Sequence, residues 1–93
     1  SKEVSSAGFW LGSVDFPFPA FYAYAYPNPP EFGKQVVQPA QAFWSDEMGE
    51  YLLKYEDVQN SSNPDEVILS FLQITYEASV KTAQWDRAKL EKK

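Results

Sequence analysis

The segment from Asn63 to about Ala83 constrains the fold most, because it predicts one long α-helix. Asn63 is a favourable N-cap, Pro64 suits the first helical position, and Glu66 has the spacing of a capping box. Polar residues then recur at steps of three or four, and apolar residues cover most of the remaining circumference. A helix this apolar must pack under other structure. We expect it to end near Ala83, with Trp85-Asp86-Arg87 interrupting it.

The segment from Ala20 to Tyr26 alternates as a β-strand does. Three tyrosines share one face, and smaller residues dominate the other: Tyr22, Tyr24 and Tyr26 against Phe21, Ala23 and Ala25. The small face predicts that another element packs closely against it. Pro27 ends the strand, because proline cannot donate a ladder hydrogen bond.

Residues 41–55 predict a β-hairpin, with arms at 42–44 and 50–55 and a turn in which Gly49 adopts a positive φ. Tyr51, Leu53 and Tyr55 are expected on one face of the second arm. Residues 1–12 read as an extended segment, 31–40 as an irregular linker and 56–62 as a polar connector. The fold class is therefore α+β, a small aromatic-rich antiparallel sheet (strand plus hairpin) packed by one long C-terminal helix.

Composition narrows the possible functions. The chain has 93 residues and contains neither cysteine nor histidine, so thiol nucleophiles, zinc–thiolate sites and Ser-His-Asp arrangements are impossible within it. No catalytic residue, metal site or cofactor is predicted, and whether the chain serves an enzyme stays open. The net charge is −5 without a basic stripe, which disfavours nucleic acid. No apolar run predicts a membrane span, and the default location is the cytoplasm.

Aromatic residues supply the candidate ligand-binding site. They form 17% of the chain, and the tyrosines of the alternating strand, together with Trp10 and Glu3, suggest a slot for a ligand. Stacked rings suit a sugar, a nucleobase or a peptide proline, whereas the alternative is packing between strands. Asp46, Glu47 and Glu50 crowd one turn, but their spacing does not match a calcium loop, and a solvated hairpin tip is the simpler interpretation.

Several blocks of residues then carry a family resemblance: residues 3–10, residues 21–27 with Pro29, residues 49–53, 71–73 and 75–78, and Trp85-Asp86-Arg87. In order, they resemble the C-terminal part of a bacterial family of uncharacterised proteins that is known only as a domain of unknown function. The resemblance implies a longer protein with upstream segments that bear histidine and tryptophan. Lys2 replaces an expected histidine, and Leu11 and Lys54 replace expected prolines.

Two functions follow as hypotheses. The chain is either a single domain over residues 1–93 or a C-terminal fragment, and it serves as a structural or binding portion of a larger protein with an aromatic ligand slot. Alternatively, it forms the wall of an enzyme active site whose catalytic residues lie upstream. The expected partners are the upstream part of the parent protein or a second copy, since the helix has too many apolar faces for one sheet to cover; a small-molecule ligand is also compatible.

Overall fold

Four strands form one antiparallel sheet in the spatial order β1-β2-β4-β3 in the computed structural model, which describes the backbone of residues 4–91 and the side chains of residues 5–85. The elements along the chain are β1 (Val4–Trp10), β2 (Ala20–Tyr26), β3 (Phe43–Ser45), β4 (Glu50–Lys54), α1 (Tyr55–Gln59) and α2 (Pro64–Glu91). Helix α2 packs on one face of the sheet. The α+β fold predicted from the sequence is confirmed.

Helix α2 begins where the capping residues predict. The Glu66 backbone N–H donates to Asn63 Oδ1 at 3.5 Å, and the Asn63 side-chain amide donates to the Glu66 carboxylate. The predicted end near Ala83 is wrong, as is the interruption at Trp85-Asp86-Arg87, because the helix continues to Glu91. Residues 86–91 include alanine, leucine, lysine and arginine but no glycine or proline, so nothing in them stops a helix.

Small residues let α2 lie close to β2. The side of β2 that faces the helix carries two buried alanines, Ala23 and Ala25. The facing side of α2 carries Phe71 and then small or hydroxyl residues, which are Thr75, Ala78, Ser79 and Thr82. The hydroxyls of Thr75 and Thr82 donate to carbonyls one turn earlier, at 2.7 and 2.8 Å. Their hydrogen bonds are thus satisfied within the helix, and they can face alanine without a penalty for burial.

An aromatic triad closes the end of the core near β3. Phe32, Trp44 and Tyr51 pack edge to face, with ring centroids 5.0 to 5.5 Å apart. The Tyr51 hydroxyl donates to the Phe32 carbonyl at 2.6 Å and accepts from the Gln35 backbone N–H at 3.1 Å. Burial raises the pKa of Tyr51. The prediction of an irregular linker over residues 31–40 therefore missed a 3-10 turn (Phe32–Lys34) that contributes a fully buried side chain.

The hairpin forms with a different end from the one predicted. Gly49 adopts φ +69° in the turn, as expected. Tyr55 does not extend β4 but starts α1, which also replaces the predicted polar connector over residues 56–62. Two acids in the first turn favour a helix there, and Val58 is buried, which anchors α1.

The extended segment predicted over residues 1–12 is the strand β1 from Val4 onward. It pairs with β2 along its whole length, from Val4 opposite Tyr26 to Trp10 opposite Ala20. In the part of the chain that the structure describes, no helix combines the length and hydropathy needed to cross a bilayer.

Candidate functional site

The sheet has a second face, away from α2, which we call the helix-free face. Directly paired residues of antiparallel strands point to the same side, so the pairing of Tyr22 with Leu52 sets this face for both β2 and β4. Tyr22, Tyr24 and Tyr26 lie on it, whereas Ala23 and Ala25 face the helix core. The predicted ladder of three tyrosines on one face is confirmed.

The loop of residues 11–19, here called the aromatic loop, fills one half of the helix-free face. Phe16 stacks on Trp10 with ring centroids 5.4 Å apart and also contacts Phe18 and Phe43 at 5.3 and 6.2 Å. Lys54 Nζ lies 4.2 Å from the centroid of the Phe18 ring. Trp10 therefore has its flat face occupied by the chain itself, and this half of the sheet offers little room for a ligand.

The tyrosine ladder becomes more exposed with distance from the aromatic loop. Tyr22 lies across Gly8, since a Cβ on that glycine would sit 2.6 Å from the Tyr22 hydroxyl oxygen. The Tyr22 and Tyr24 rings are nearly parallel, with centroids 6.1 Å apart. Tyr24 is 37% exposed and Tyr26 is 65% exposed. Tyr22 thus packs against the Tyr24 ring, whereas the Tyr24 and Tyr26 rings are accessible to a ligand.

An open groove of about 690 Å³ begins beside these two accessible rings. The pairing of β2 with β4 ends at Ala23 opposite Tyr51, while β2 continues along β1 for three more residues. The hairpin turn before β4 then forms the other wall. The lining includes Tyr24, Tyr26, Pro27, Asn28, Met48 and Glu50, and we call this feature the tyrosine groove. Its volume lies in the range of small-molecule sites, about 300–1,000 Å³.

The acids of the hairpin do not behave as one cluster. Asp46 and Glu47 are exposed, and Asp46 accepts a hydrogen bond of 2.7 Å from the Trp44 indole N–H. Glu50 instead belongs to the face of β4 that carries Leu52, and its half-buried carboxylate lines the tyrosine groove. Burial raises the pKa of Glu50. Among the residues that the structure describes, no group of three or more carboxylates converges as metal ligands would.

The structure separates the site residues that the sequence suggested. Tyr24 and Tyr26 line the tyrosine groove, Trp10 lies at the other end of the sheet face under Phe16, and Glu3 falls outside the described residues. Sequence reasoning did not include Met48 or Glu50 in the slot. Their place there depends on the register between β2 and β4, which no local pattern encodes.

Two smaller clefts lie between β1 and α2; one shares Tyr26 with the tyrosine groove and the other shares Tyr24 with it. Each has a volume of about 180 Å³, and both are lined by Ser5 and Tyr76. Neither cleft has an acidic or basic side chain in its lining. The tyrosine groove is therefore larger than either of these two clefts and, unlike them, has a carboxylate in its lining.

Comparison with known proteins bears on the family and not on the chemistry. A family model described as a family of unknown function, DUF5996, matches residues 1–92. No curated protein and no solved structure matches the chain significantly. The match spans both the strand that carries the tyrosine ladder and the hairpin that carries Glu50. The chain therefore belongs to the DUF5996 family.

Proposed function

We propose that this chain is a binding portion of a larger protein and holds a small organic ligand in the tyrosine groove. The observation that carries the proposal is the convergence of two partly exposed tyrosine rings, a methionine side chain and a half-buried carboxylate on one open groove. Apolar walls with a few convergent polar groups are typical of ligand sites. The opposite end of the same sheet face is filled by Phe16, which supports a site confined to the groove.

The resemblance to a bacterial family of longer proteins supports a place for the chain at the C-terminal end of such a protein. The absence of cysteine leaves no disulfide to form in an oxidising compartment, which supports the cytoplasm as its location.

The methyl group of Met48 allows a direct test. It belongs to the only methionine in the sequence, so a protein with ¹³C-labelled methionine methyl groups gives one resonance from the groove itself. Methyl β-glucoside, adenosine and a diproline peptide represent the three ligand classes that stacked rings suit, and choline adds a cation that aromatic ring faces attract. We expect at least one probe to shift this resonance saturably.

A matched pair of variants locates the binding. Tyr26 and Tyr76 are both more than half exposed, but Tyr26 lines the groove and Tyr76 lies on α2. The shift should be lost in Tyr26→Ala and retained in Tyr76→Ala. If no probe shifts the Met48 resonance, or if Tyr76→Ala removes the effect instead, the proposed function is wrong.

A second candidate is favoured by Glu50, because a carboxylate whose pKa is raised by burial suits acid–base work. In this case the groove is one wall of an active site, and residues outside this chain complete it. The probes would then bind only when the chain is joined to the rest of the longer protein. Binding to the 93-residue chain alone favours the first candidate.

A further inference from the structure

The charge of the tyrosine groove comes from one side chain. Glu50 is the only acidic or basic residue in its lining, and it forms no hydrogen bond or ion pair with the side chains that the structure describes. Lys54 shares its face of β4, but it lies four residue steps along the strand from Glu50, a distance of about 13 Å. The Lys54 ammonium also lies against the Phe18 ring. No described counter-ion therefore neutralises the carboxylate.

The remaining lining suits a cation rather than an anion. The faces of the Tyr24 and Tyr26 rings carry negative electrostatic potential, which attracts ammonium groups. The Met48 thioether adds a polarizable apolar contact. Asp46 and Glu47 precede it in the hairpin turn, and residues 45–50 contain no lysine or arginine. Together with the net charge of −5, they make the surroundings of the groove attractive to positive charge.

We propose that the tyrosine groove binds a small alkylated or quaternary ammonium compound, with its cationic head between the two tyrosine rings and Glu50. The inference rests on the proposed function, since it names the ligand class of the same groove. Ammonium groups also occur in lipid headgroups and in phosphorylated compounds. The lining contains no basic residue that could bind a phosphate, which favours a free ammonium compound over phosphocholine or a phosphatidylcholine surface.

Proton linkage gives the inference a second signature. A bound cation favours the ionised form of Glu50, so binding lowers the pKa that burial has raised. Affinity should therefore increase as pH rises through the pKa of Glu50 and level off above it. The titratable or charged side chains on the neighbouring strand and turn and along β4 are Tyr22, Tyr24, Tyr26, Asp46, Glu47, Tyr51 and Lys54. The two other acids are exposed, and Glu50→Gln separates their contribution from that of Glu50.

The test compares choline with 3,3-dimethylbutan-1-ol, a neutral molecule of the same shape, by the shift of the Met48 methyl resonance at constant ionic strength. We expect choline to bind and its neutral isostere to bind about tenfold more weakly, because the isostere loses the attraction to the carboxylate and rings. Glu50→Gln should remove most of this difference and also the dependence on pH. Glu56→Gln is the matched control, because it makes the same change of charge at an exposed position on α1 and should keep the choline affinity.

Each outcome bears on a different claim. Equal binding of choline and its isostere, or an unchanged choline affinity in Glu50→Gln, overturns the ammonium inference. Saturable binding of the glucoside, adenosine or the diproline peptide without choline binding overturns it too, but leaves the proposed function intact. Phosphocholine and phosphatidylcholine vesicles form the last arm, and stronger effects from either than from choline would overturn the assignment to a free ammonium compound.

Discussion

Tyr51→Phe removes one hydroxyl from the core and leaves the ring in place. That hydroxyl donates to the Phe32 carbonyl at 2.6 Å and accepts from the Gln35 backbone N–H at 3.1 Å. Leaving buried partners without a hydrogen bond costs about 1–3 kcal/mol. The Gln35 N–H retains a longer bond of 3.4 Å to the same carbonyl, which limits the loss. We therefore expect the free energy of unfolding to fall by about 1–2 kcal/mol.

Urea unfolding followed by tryptophan fluorescence measures this change. The dependence of stability on denaturant should stay constant while the midpoint falls, because the surface exposed on unfolding is unchanged. Tyr55→Phe is the control: its ring is 40% exposed, and its hydroxyl forms no hydrogen bond with a described residue. A surface change of this kind stays within about 0.5 kcal/mol. If Tyr51→Phe unfolds at the same midpoint as Tyr55→Phe, the hydroxyl does not hold the 3-10 turn to the sheet.

Four further changes test other parts of the account. Asn63→Ala should lower the free energy of unfolding by about 1 kcal/mol through the lost cap, and unchanged urea unfolding would contradict the capping role. Glu50→Gln should stabilise the protein at neutral pH but not at about pH 3, where the carboxyl is protonated in the folded and the unfolded state alike. A variant as stable as the wild type at both pH values would show that burial does not disfavour the charged form of Glu50. Gly8→Ala should displace Tyr22 and weaken choline binding with little loss of stability, and unaltered binding would show that Tyr22 does not support the groove. Leu69, Tyr76 and Val80 are exposed apolar residues of α2, and self-association through them should appear in light scattering as a mass that rises with concentration. The mass should fall to that of the monomer in a Leu69→Lys, Val80→Lys double variant, whereas a monomeric wild-type chain at all concentrations would contradict the prediction.

Local patterns predicted the elements whose causes are local. The alternation over residues 20–26 placed the tyrosines on one face, the capping residues placed the start of α2, and Gly49 placed the turn. Each of these depends on backbone sterics or on hydrogen bonds between near neighbours in the chain. Such features can be predicted from the sequence without knowledge of the tertiary structure.

Features that depend on distant partners could not be predicted. Phe32 is buried because Trp44 and Tyr51 surround it, and those contacts span more than ten residues of sequence. The sequence pattern indicated that Glu50 belongs to a solvated acidic hairpin tip, and only the β2–β4 register brings it beside Tyr24. The tyrosine ladder of the candidate site could thus be predicted from the sequence, whereas the positions of Met48 and Glu50 in it depend on the fold.

The most direct test of the ammonium site is the set of intermolecular nuclear Overhauser effects between choline and the protein. The trimethylammonium protons should show cross-peaks to the Met48 methyl group and to ring protons of Tyr24 and Tyr26. These cross-peaks should weaken in Glu50→Gln and persist in Glu56→Gln. Cross-peaks to Tyr76 on α2 or to Trp10 under the aromatic loop, without any to Met48, would place the ligand elsewhere and contradict the account.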